Sequence, residues 1–221
     1  MIVPIPTNYF AQRSYLKSNP DTGLLSSRQG NRLIAIPDLL LRSIHRSLRS
    51  ETGEATPLAL YTCGFWWGAA FYDRMAKELE TYYQMPMDEI NALEFLVTMR
   101  EMWAVHGLGS LAIDFSYRGQ GLVKVSTTHS VLQEGADIGL KPGQQPSYHL
   151  EAGFLAAWFS RWAGKELRAC ATDWGQNTSG DEAIDFVSFT EFLVGSTESI
   201  EQIEHRVRQG ERTLTILPIL Q

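Results

Sequence analysis

The stretch from Thr56 to Tyr82 constrains this chain more than any other part of it. Thr56-Pro57 forms an N-cap and first-turn pair, and Leu58, Tyr61, Phe65, Gly68, Tyr72, Met75, Leu79 and Tyr82 follow at spacings of three or four. Trp66, Trp67, Ala70 and Phe71 widen the apolar surface well beyond one stripe. A helix that is apolar on most sides has to be covered on most sides, so a central helix is expected. Its most apolar part, Leu58 to Tyr72, is broken by Thr62, Gly64 and Gly68 and falls short of the roughly 20 residues that span a bilayer. No transmembrane helix is predicted.

The remaining chain alternates helical and strand-like periods around that element. Residues 1–36 mix prolines with short apolar pieces and read as an irregular arm with one or two short elements, wrapping a domain that begins at Pro37. Leu40, Leu41, Ile44 and Leu48 give a short amphipathic helix over 39–49, with Arg42, Arg46 and Arg49 on another face. A second long helix is expected after Pro86, capped by Asp88 and closed by Gly107 and Gly109. Alternation over 111–116 and 122–127 around Arg118-Gly119-Gln120-Gly121 predicts a β-hairpin, and 135–147 reads as a long functional loop. An apolar helix over 149–163 stops at Gly164. Two more strand-like runs, 167–173 and 183–190, form a second hairpin, followed by a helix over 197–209 and a terminal strand or docking tail at 214–217. The expected fold is α+β: long apolar helices packed on an antiparallel sheet made of two hairpins, in one domain over 37–221.

Composition removes several functional classes. With 19 basic and 25 acidic residues the formal charge is −6, which does not suit a chain that grips phosphate backbones, so nucleic acid is not an expected partner. Cys63 and Cys170 cannot form a disulfide framework or a four-cysteine metal site, and a reducing, cytoplasmic setting fits them. The start, Met-Ile-Val-Pro-Ile-Pro, lacks the basic region of a secretory signal. The five histidines show no helical pair at i, i+4, and no HExxH motif, no nucleophile elbow and no complete dinucleotide fingerprint occurs. No metal and no catalytic residue is expected, and turn roles explain Gly107, Gly109, Gly119 and Gly121.

The aromatic residues leave two readings open. Trp66-Trp67 and Trp158-Phe159 place bulky rings on both sides of helices that need them on one side for a core. The surplus should face a guest, a second subunit or a membrane surface.

The order of helix and hairpin elements, with Glu151-Ala152-Gly153-Phe154-Leu155-Ala156-Ala157-Trp158-Phe159, resembles the 4-vinyl reductase domain family. Tyr61-Thr62-Cys63-Gly64-Phe65-Trp66-Trp67-Gly68 is similar to that family's earlier glycine-rich helix, so the resemblance covers roughly 55–190. The family's two strand cysteines correspond here to Trp174 and Ile184, so a role that depends on them is lost. The resemblance implies a fold shared with subunits of the TRAPP tethering complex. It also implies a pocket for a hydrophobic guest, a tetrapyrrole or an acyl chain, with Phe65, Trp66, Trp158 and Phe159 lining it and Trp174 closing its mouth. It further implies a homodimer and, through cyanobacterial members that lack the cysteines, association with photosystem II assembly at a photosynthetic membrane. Two alternatives stand beside the binding module. One is a scaffold for membrane-complex assembly whose pocket is filled by Trp174 and Ile184; the other is a vinyl reductase acting on a tetrapyrrole.

Overall fold

A computed structural model describes residues 9–133, 148–178 and 186–220. The expected loop at 135–147 and Ile184 lie outside the described residues.

The long helix, α3, spans Thr56–Tyr83, and the second apolar helix, α5, spans His149–Ala163 with Gly164 in the left-handed conformation as its cap. These two pack against each other more closely than ordinary side chains allow. A Cβ on Gly64 would run into the Leu150 carbonyl, one on Gly153 into the Tyr61 carbonyl, and one on Gly68 would sit 2.6 Å from the Phe154 carbonyl oxygen. Glycine is therefore required at the crossing because backbone meets backbone there. A third helix, α4 (Ala92–Val105), adds Phe95, Met99, Met102 and Trp103 to the same core. Its cap is Asn91, whose side chain accepts the Glu94 N–H at 3.0 Å, and not Asp88; Pro86 instead leads into a separate 3₁₀ turn over Met87–Glu89.

The helices cover one face of a four-stranded antiparallel sheet of order β4-β5-β7-β6, formed by β4 (Ser110–Asp114), β5 (Val123–Thr128), β6 (Arg168–Thr178) and β7 (Phe186–Gly195). The two expected hairpins are joined through the β5–β7 pair. Alternation along β7 separates two cores: Phe192 faces α5, while Leu193 faces α6 (Thr197–Arg208) with Ile200 and Ile203. The C-terminal segment is not a strand. Arg212 and Thr215 exchange hydrogen bonds that start a short helix, α7 (Thr213–Ile216), and Ile216 and Leu217 dock on the α6 cluster.

The arm is more ordered than its prolines and glycines suggest. It contains α1 (Gln12–Tyr15) and a small antiparallel sheet of β1 (Lys17–Asn19), β2 (Leu24–Ser26) and β3 (Arg32–Leu33), and it leads into α2 (Asp38–Thr52). One carboxylate tethers it. Glu78, buried on α3, accepts from Tyr9 at 3.0 Å and Tyr15 at 3.4 Å on one oxygen, and from Ser27 at 3.3 Å and Asn31 at 2.6 Å on the other. Burial, and then the Glu78 charge, push the Tyr9 and Tyr15 hydroxyls well above the usual tyrosine range, so both stay protonated as donors.

Candidate ligand-binding cleft

Among the described residues, a cleft of about 450 Å³ opens where α3, α5, β6 and α6 meet. Four consecutive residues, Arg168 to Ala171, border it, so it runs along the free edge of β6 and not over one sheet face. Small side chains create the space: Ala152 from α5 and Ala169 and Ala171 from β6 stand where larger apolar residues would close it. One end is aromatic, with the Tyr148 and Trp174 rings 5.6 Å apart and the Arg212 guanidinium 3.7 Å above Trp174. That cation–π stack holds the indole plane in place. Leu58 and Tyr61 from α3 and Val207 and Arg208 from α6 complete the lining.

The polar groups at the cleft are mostly committed. Arg168 is forked between Glu201 at 3.1 Å and Glu204 at 3.4 Å. The Tyr61 hydroxyl accepts the Ala169 N–H at 3.4 Å. Burial lowers the His149 pKa and raises that of the Cys170 thiol, so His149 is kept neutral and Cys170 is no thiolate nucleophile. What remains is a mainly apolar slot whose charged liners are Arg168, Glu204 and Arg208. No cluster of three or more metal-ligating side chains occurs among the described residues.

Of the five residues expected at a pocket, only Trp174 borders this cleft. Trp158 and Phe159 are buried, 2% and 1% exposed, in the main core, where Trp158 stacks 5.8 Å from Phe154. Rings on both sides of α5 have core to fill because α3 covers one side and the sheet the other. Phe65 is half-buried against that core, and Trp66 stands 69% exposed on the outer side of α3. The residues that shape the cleft, above all Ala152, Ala169 and Ala171, carry no chemical signature in the sequence. Their only signal is small size at positions where the helix and strand periods call for bulk.

Beside the cleft, in the first turn of α5, Glu151 is buried; Ser130 donates to one of its oxygens at 3.0 Å and the other has no hydrogen-bond partner. Burial raises its pKa from 4.5 to about 7 despite the hydrogen bond from Ser130. A carboxyl with a raised folded-state pKa binds more protons folded than unfolded. Its contribution is therefore complete below about pH 4.5 and lost as pH rises through 7. Unfolding free energy is expected to fall by about 2 kcal/mol between pH 5 and pH 8 through this group. Denaturant titrations at both pH values check this, because Glu151→Gln should remove that part of the slope.

Comparison with solved structures places the fold. The phenol-responsive sensory domain of the transcription activator PoxR, solved with phenol, matches with a TM-score of 0.59 at 14% identity, over 89% of this chain and 92% of that one. The chain shares the fold of that sensory domain. A trafficking protein particle complex subunit 3 from Naegleria fowleri, covalently bound to palmitic acid, matches with a TM-score of 0.43 at 12% identity, over 72% of this chain and 93% of that one. No protein-family model matches the chain, and no curated protein matches it. No described helix is long and apolar enough to cross a membrane.

Proposed function

We propose that this protein is a non-catalytic binding module for a small, mainly apolar molecule that sits along the free edge of β6. The observation that carries this reading is the alanine-floored cleft with an aromatic end at Tyr148 and Trp174. The fold it shares with a phenol-responsive sensory domain supports it. Of the two guests implied by the 4-vinyl reductase resemblance, a tetrapyrrole and an acyl chain, the volume favours the acyl chain, and a single aromatic ring also fits it. At about 450 Å³ the cleft lies in the lower part of the roughly 300–1,000 Å³ range of small-molecule sites, so a tetrapyrrole would project from it. A role in pigment-protein or photosystem II assembly would then be exerted through the bound guest.

The test is titration with phenols, medium-chain fatty acids and a tetrapyrrole, followed by tryptophan fluorescence and calorimetry. Ala171→Phe fills the floor and Trp174→Ala removes the aromatic end; each is expected to weaken binding at least about tenfold. Absence of binding by the unaltered protein, or equal binding by Ala171→Phe, overturns the proposal. A second reading, a homodimeric scaffold, has one observation in its favour: Trp66 stands 69% exposed on the outer side of α3. Native mass distinguishes the two.

A further inference from the structure

Five of the eleven large apolar side chains left exposed among the described residues fall within positions 34–44: Ile34, Ile36, Leu39, Leu40 and Ile44. Ile34 is 79% exposed and Leu39 66%, on the approach to α2 and in its first turn; Leu40 and Ile44, 45% and 47% exposed, share one side of the helix by their spacing of four. The opposite flank carries Arg42, Arg46 and Arg49, while Leu41, His45 and Leu48 turn toward the protein. Residues 32–49 contain four arginines and one aspartate, a net charge of +3 in a chain of −6, which leaves −9 on the remainder.

We propose that this segment is a docking surface for an anionic lipid bilayer. An amphipathic helix with exposed aliphatic side chains and an arginine flank lies in the plane of a bilayer interface, its apolar side chains inserted shallowly and its cations near the headgroups. The charge distribution selects this occupant and orients the molecule. The acidic remainder is repelled by an anionic surface and only the 32–49 face is attracted, so the protein settles with α2 against the lipid. A second copy suits the patch less well, because a two-fold contact sets the patch against itself and brings +3 to face +3. Association is superficial, since no described helix can cross the bilayer.

The experiment is flotation of the full chain with phosphatidylcholine vesicles, with and without phosphatidylglycerol, at low and high salt. Co-flotation with the anionic vesicles alone, decreasing with salt, is expected. Arg46→Gln should weaken it about fivefold, and Leu40→Glu with Ile44→Glu should abolish it. The unfolding midpoint of each variant shows that these exposed substitutions leave the fold intact. Absence of flotation, or equal flotation with neutral vesicles, overturns the proposal. So does a native mass near twice 24.9 kDa that halves in Ile44→Glu without vesicle binding, which would assign the patch to self-association.

Discussion

Gly153→Ala is expected to destabilise the protein by about 3 kcal/mol or more, the upper end for added volume in a packed core. In an open helix the same change is favourable by about 1 kcal/mol, because glycine loses more backbone entropy on folding than alanine does. Here the new methyl would meet the Tyr61 carbonyl and the Phe65 amide, which are backbone atoms of α3 and cannot rotate aside. Relief requires the two helices to separate, and that opens the core around Phe154 and Trp158 and shifts the α3 and α5 walls of the cleft together. Gly64→Ala, aimed at the Leu150 carbonyl, should behave alike, whereas Gly119→Ala, with open space around it, should not. Urea unfolding of the three variants is the measurement. A Gly153→Ala protein as stable as its parent would show that the crossing is looser than described.

Glu78→Ala should have a comparable effect by a different route. Removing the carboxylate leaves the buried hydroxyls of Tyr9 and Ser27 and the amide of Asn31 without this acceptor, while Tyr15 keeps its contacts to Met75 Sδ and His106 Nε2. Stranded buried donors cost about 1–3 kcal/mol each when the site cannot relax, and relaxation here means release of the arm, so a loss of about 3–5 kcal/mol is expected. Tyr15 also lies 3.3 Å from His106 Nε2, whose ring is held by Nδ1 at 2.8 Å from the Met102 carbonyl, so the disturbance reaches the end of α4. Limited trypsin digestion should cut faster at the exposed Arg13 and Lys17 in the variant, while the helical core stays intact. An unchanged cleavage rate and midpoint would mean that Tyr9, Phe10 and Tyr15 hold the arm by packing alone. Glu78→Gln, which keeps the shape but offers one acceptor oxygen, should fall between.

The helices and the sheet were legible because burial imposes a period. The apolar repeat over Thr56–Tyr83 and the glycine stop after Ala163 predicted α3 and α5 closely, and alternation at 111–116 and 122–127 predicted the first hairpin. The arm was legible only as an irregular segment with one or two short elements, because its order comes from a distant partner: a carboxylate far along the chain organises it. The cleft was hidden for a related reason. Aromatic bulk draws attention in a sequence, yet Trp158 and Phe159 went into the core, while the space was made by alanines, whose contribution is the volume they leave unfilled. Of the rings singled out in the sequence, Trp174 borders that space, and it drew attention only through the resemblance.

The position of the cleft also bears on strand addition at the sheet edge. β6 is an edge strand of eleven residues, and such an edge offers a row of free amides and carbonyls to any extended chain that meets it. Here α3 and α6 overhang that edge and the Tyr61 hydroxyl already takes the Ala169 amide, so a foreign strand finds a recessed rim and one donor already taken. The helices that wall the slot thus also shield the unfinished side of the sheet, so one arrangement of side chains both shapes a cavity and leaves less of the strand's backbone open to an added strand.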